Sequence, residues 1–140
     1  MVLPHRTQLM FRGALCALLL ALTLAGCAVA VVGADGWVTL GTLTVNPRGD
    51  IDVIRPSKAA DYRQLRFSVS RAPVIIQDVK VHFVNGQVQD VDLRRRINAG
   101  ESTRAIDLRG GDRHIEKITL RYRTPRGVKR AAVVTAKARP

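Results

Sequence analysis

The side chains in this 140-residue chain whose type and spacing invite chemistry are two histidines, two carboxylate pairs, two cysteines and a long series of cations. Hydrolysis or transfer needs a nucleophile with its base, a carboxylate pair, or metal ligands held together. His82 and His114 stand far apart in the chain with no His-x-His spacing, which predicts solvated or lightly packed rings and no metal site. Asp50 with Asp52, and Asp90 with Asp92, are two apart, which on a strand puts each pair on one face. Such pairs can do acid–base work or bind Ca²⁺. Each lies among arginines, notably Arg94 to Arg96, so charge pairing across a wet sheet face is the expectation. Arg48-Gly49-Asp50 is the tripeptide of integrin ligands, but here it reads as a turn. Gly110-Gly111 is too short for a phosphate loop and reads as a permissive turn. No catalytic set, cofactor or metal is expected.

Both cysteines, Cys16 and Cys27, stand near the N-terminus, so the rest of the chain contains no disulfide or thiolate site. His5, Arg6 and Arg12 precede an apolar run over residues 14–25, long enough for the middle of a secretion leader and short for a membrane span. Leu24-Ala25-Gly26-Cys27 follows and resembles the lipobox of bacterial lipoprotein signal peptides. The resemblance implies acylation of Cys27, cleavage before it and durable attachment through several acyl chains. Ala28 after the cysteine implies an outer-membrane destination facing the periplasm. Two alternatives stay open: cleavage after Ala28-Val29-Ala30, releasing a soluble protein without Cys27, and an uncleaved anchor.

The whole chain carries 23 Lys and Arg against 11 Asp and Glu. Loss of the leader removes only Arg6 and Arg12 from that excess. A basic domain attracts polyanions at long range, whether anionic lipid, lipopolysaccharide phosphate, acidic wall polymer or nucleic acid. Export makes nucleic acid the least available partner. The most distinctive stretch is residues 121–140, which holds Arg121, Arg123, Arg126, Lys129, Arg130, Lys137 and Arg139 and no acid. With Arg94 and Arg96, the residues Arg121, Arg123, Arg126, Lys129 and Arg130 form a basic patch if their strands neighbour one another. The competing expectation is that these charges guard edge strands against aggregation. Single-strand nucleic-acid binders interleave aromatic platforms, and only Tyr122 is present here, in phase with the core.

Positioning these groups falls to strands. From Trp37 onward the apolar pattern has period two, broken by turn residues. It predicts strands over residues 37–45, 50–55, 64–70, 74–84, 88–97, 102–108, 115–123 and 130–137, with one helical turn inside 56–62. Asn85-Gly86 marks a hairpin because both residues tolerate positive φ. The pattern predicts an all-β, antiparallel β-sandwich of about eight strands in one domain. It gives residues 1–27 to a signal helix, 28–36 to a short tether and 37–140 to the sandwich.

The stretch from Trp37 resembles a family of small exported bacterial β-domains of unknown function. The resemblance rests on Trp37-x-x-Leu40-Gly41, Asp52-Val53-Ile54, Asn85-Gly86 and Ile97-x-x-Gly100-Glu101-x-x-Arg104-x-Ile106-Asp107-Leu108. It continues through Gly110-Gly111-x-Arg113-x-Ile115 and Tyr122-x-Thr124. It implies a β-sandwich and transfers no catalytic residue. The expected function is that of a non-enzymatic envelope protein, held to a membrane through lipid on Cys27, whose basic face meets an anionic polymer or protein partner. The alternative is a soluble, secreted sandwich that binds a carbohydrate or small ligand. That alternative needs a spare aromatic platform, whereas Trp37, Tyr62, Phe67, Phe83 and Tyr122 mostly read as structural.

Overall fold

A strand with alternating apolar side chains must bury one face, and two sheets meeting face to face bury both at once. A computed structural model of the chain describes residues 33–110 and 113–140. It places nine strands among them: β1 (Val38–Thr44), β2 (Asp50–Ile54), β3 (Asp61–Tyr62), β4 (Gln64–Ser70), β5 (Val74–Phe83), β6 (Val88–Ile97), β7 (Ile106–Asp107), β8 (Arg113–Arg123) and β9 (Val133–Arg139). One sheet has the order β1-β9-β4-β7. The other has the order β2-β8-β5-β6, with β3 paired to the same side of β8 as β2. Every pairing is antiparallel. The expected leader 1–27 and most of the tether 28–36 lie outside the described residues.

The inward faces form one core. Leu40, Leu65, Phe67, Val134, Ala136 and Ala138 come from the four-stranded sheet. Val79, Val81, Phe83, Ile118, Leu120 and Tyr122 come from the other. Along β5 the alternation changes phase: Val74 and Ile76 are buried, then Val79, Val81 and Phe83. The register against β8 slips between Ile76 and Asp78, so Gln77 is a bulge residue that lets both halves face inward. Opposite it, β6 carries its own extra residue around Arg94, which has φ 37°.

Three expectations change. Residues 56–62 form no helical turn; Asp61 and Tyr62 instead pair with His114 and Arg113 of β8. Over 102–108 only Ile106–Asp107 is strand, joined to a single bridge between Ser68 and Ser102. There the Thr103 hydroxyl, in place of a backbone carbonyl, accepts the Phe67 N–H at 3.0 Å, which interrupts a regular ladder. The hairpin at Asn85-Gly86 exists, but only Gly86 has positive φ. The loop closes from Phe83 to Gln87, with the Asn85 carboxamide accepting the Gln87 N–H.

Gly41 of one sheet sits against Ile54 of the other. A Cβ there would lie 2.7 Å from Ile54 Cγ2, and Ile54 is itself buried. Gly41→Ala should therefore cost about 1–3 kcal/mol by overpacking. Combined with Ile54→Ala, the two losses should sum to less than their separate values, because the second change removes the clash. Denaturant unfolding of the single and double variants measures both.

Candidate anion-binding surface

The strand order decides which cations meet. β6 and β8 are not neighbours, because β5 lies between them. On the outer face of the five-stranded sheet, Arg123 pairs with Ile75, which pairs with Arg96, so these two arginines flank one residue. One step further in, Arg121 stands beside Asp78, and Asp78 beside Asp92. Asp92 accepts from Arg94 Nε at 2.9 Å, and Asp90 pairs with Lys80 at 2.7 Å. Arg121 and Arg94 thus belong to a shallow groove with Gln77, Asp78 and Asp92 in which charges of both signs alternate. The predicted patch divides: this row is compensated, and the excess lies beyond it.

The excess gathers at one end of the sandwich. β1 and β4 end there, at Thr44 and Ser70, both paired with Val133, the first residue of β9. Val74 of β5, Ile97 of β6, Asp50 of β2 and Arg123 of β8 bound the same end of the other sheet. The chain changes sheet here four times, between β1 and β2, β4 and β5, β6 and β7, and β8 and β9. Three of these connections bring Arg48, Arg71, Arg126, Lys129 and Arg130 to this end, where the last residues of β6 and β8 add Arg95, Arg96 and Arg123, all exposed. Sequence reasoning named Arg96, Arg123, Arg126, Lys129 and Arg130, and missed Arg48, Arg71 and Arg95. The usable signal was that each of those three stands at or beside a break in the alternation.

The carboxylates at this end are turned into the backbone. Glu101 Oε2 accepts from the Asn98 N–H at 3.0 Å, and the Asn98 bonds, backbone then side chain, together with the charge of Arg95 hold its carboxyl below the usual range against the opposing effect of desolvation. Asp50 Oδ1 accepts from the Ile51 N–H at 2.8 Å. Among the described residues no carboxylate forms an ion pair with any of the eight cations. Arg71 is held at φ 70°, with the Ala72 N–H donating to the Ser70 carbonyl at 2.9 Å across it. That is a γ-turn of the strained hand, which a residue with a Cβ seldom adopts.

Beneath the cations Tyr122 ties the loop between β1 and β2 to β8. Its hydroxyl donates to Asp52 and accepts from the Asn46 N–H at 3.0 Å. Asp50 and Asp52 therefore do not form the expected pairing with arginines; they lie in register with Tyr122 and Leu120, whose side chains face the core. Burial, then the Asp52 hydrogen bond, pushes the Tyr122 phenol up to about 12.

The remaining candidates lie elsewhere. His114 Nδ1 is 3.3 Å from Asp61, and His82 Nε2 is 3.3 Å from the Thr119 hydroxyl. No three metal-ligating side chains converge among the described residues. Trp37 is buried under two guanidinium groups, with Arg66 Cζ 4.3 Å and Arg139 Cζ 5.0 Å from its ring centroid, and Arg66 also pairs with Asp35. Phe83, Tyr62, Phe67 and Tyr122 are buried too, so no aromatic platform faces solvent among the described residues. Edge protection does not explain the C-terminal cations, because β8 and β9 are both interior strands. It does suit Arg94 to Arg96, which lie on the edge strand β6.

The fold and surface define a class: a small antiparallel β-sandwich with a cationic end. The chain belongs to the family described as a domain of unknown function, DUF2541, whose model matches residues 14–136. Searches of curated proteins and of solved structures each found no match.

Tyr122→Phe leaves Asp52 and the Asn46 N–H without their partner and should cost about 1–3 kcal/mol. The phenol of the unfolded chain ionises near 10. Because the folded value is higher, the stability linked to this group is complete below pH 10 and is lost as pH rises toward 12. Thermal melts from pH 8 to 12 should show that loss in the wild type and a shallower one in Tyr122→Phe.

Proposed function

We propose that this chain is a non-enzymatic exported envelope protein, tethered through lipid on Cys27, that engages an anionic partner through its cationic end. The observation that supports the reading is the convergence of eight exposed cations from three connections and the adjoining ends of β6 and β8, with no carboxylate among the described residues in an ion pair with them. Like charges crowded on one end repel and destabilise the folded state, and solubility alone gives no reason to gather them. Elsewhere on the same domain cations are paired, as in Lys80–Asp90, Arg94–Asp92 and Arg66–Asp35. The export half of the reading rests on the leader and lipobox of residues 1–27.

The test removes the same three charges from two different places. One variant replaces Arg126, Lys129 and Arg130 with Ser; the other replaces Arg55, Lys58 and Lys117 with Ser, outside that end. Phosphatidylglycerol vesicles in low salt, sedimented with the soluble form of each protein, should bind the first variant about tenfold more weakly, since each exposed charge removed contributes a modest amount. The second should stay near wild type. Equal losses in both would mean that only net charge matters and would remove the cationic end from the reading.

A further inference from the structure

The start of the described chain and the cationic end lie at opposite ends of the sandwich. The described chain starts at Gly33, and residues 33–37 sit beside Arg139 and Arg66, at the end where β4 begins and β9 finishes. The cationic end is where β9 begins and β4 finishes. The 11-residue strand β8 spans about 35 Å between the two ends at the usual rise of a strand. From Cys27 to Gly33 the backbone reaches at most about 20 Å even when fully extended. A domain held by lipid on Cys27 therefore cannot stand inverted on the membrane that holds it, and when upright it presents its cationic end away from that membrane.

We infer that the cationic end is a docking surface for a linear, carboxylate-bearing polymer of the cell wall, presented away from the anchoring membrane. The inference rests on the proposed tether and deepens the proposed anionic partner by naming its class. The upright orientation turns the cationic end away from the headgroups of the anchoring membrane. A protein partner is disfavoured because stable protein interfaces centre on buried apolar anchors. The exposed large apolar residues among those described are Ile51, Val53, Val84 and Val88, and none stands on the four connections at this end. What the end offers is guanidinium: seven of its eight cations are arginines, whose planar forks match carboxylate geometry in pairs. They rise from three separate loops and from the adjoining ends of β6 and β8, which suits a chain of repeated charges laid across them better than one small anion. Arg71 adds a second sign. A residue with a Cβ is kept at φ 70° where glycine would sit without strain, and its guanidinium stays exposed at this end.

The test uses the full acylated chain in phosphatidylcholine vesicles at 0.1 M salt, with fluorescent polyglutamate as the soluble probe and purified peptidoglycan sacculi as the polymer. The intact mass of the protein is read first. An unacylated Cys27, or a terminus near Val31, would overturn the tether and the orientation together; the sacculi and probe are then offered to the soluble protein, so the polymer assignment is judged separately. The anchored protein should capture both probe and sacculi. Replacing Arg126, Lys129 and Arg130 with Ser should weaken capture about tenfold. Arg71→Gly should weaken it while the melting temperature holds or rises, a combination that a merely structural arginine would not give. Adding phosphatidylglycerol to the anchoring vesicle should leave capture unchanged, since the Debye length at this salt is about 10 Å. Loss of capture on adding phosphatidylglycerol would show the cationic end lying on its own membrane and overturn the orientation. Sacculi captured equally by wild type and the triple variant, or by neither, would overturn the polymer.

Discussion

Two sheets that share one core leave the chain only their ends at which to pass from one to the other. In this domain that constraint arranges everything polar. The core takes Leu40, Leu65, Phe67 and Val134 from one sheet and Val79, Val81, Ile118 and Leu120 from the other, none with appreciable exposure. Bulges at Gln77 and near Arg94 keep the long strands β5 and β6 in phase with that core along their whole length. With the interior closed to charge, the connections collect it, and four of them fall at the same end. Tyr122 joins the two layers of the design, packing its ring in the core while its hydroxyl holds Asp52 and the Asn46 N–H beneath the cationic loops.

Strand positions were legible wherever the alternation ran uninterrupted. The segments 64–70 and 88–97 appear where the period-two pattern puts them, and Leu65, Phe67 and Val69 share a buried face, as their alternation predicts. The pattern failed where a side chain stood in for the backbone. Thr103 accepts a ladder hydrogen bond with its hydroxyl, so a predicted strand shrinks to Ile106–Asp107. It failed again at Asp61 and Tyr62, too short a strand to carry a period. Gln89 shows a subtler case: it is polar and buried, while its neighbour Val88 is exposed. Its carboxamide donates to the Asp107 carbonyl at 3.0 Å and accepts the Arg109 N–H at 2.7 Å, bridging the edges of the two sheets. Parity with Val91 and Leu93 points Gln89 inward, but partners on a distant loop are invisible in the chain.

The cationic surface was only half legible for the same reason. Arg121, Arg123, Arg126, Lys129 and Arg130 stand close in sequence and stood out. Arg48, Arg71 and Arg95 join them only because β1, β4 and β6 all finish at the end where β8 does. Topology also divides the patch. It separates Arg121 and Arg94, which sit among Asp78 and Asp92, from cations that form no ion pair among the described residues. A count of charges along the chain cannot make that distinction; strand order can.

Isotope-labelled mature protein titrated with polyglutamate, and followed by amide chemical shifts, tests most directly where the anion binds. If the cationic end is the surface, the shifts should concentrate in residues 44–50, 70–74, 95–101 and 123–132 and fade with added salt. Shifts centred instead on the outer sheet face around Lys80, Lys117 and Arg121, or spread evenly over every exposed cation, would contradict it.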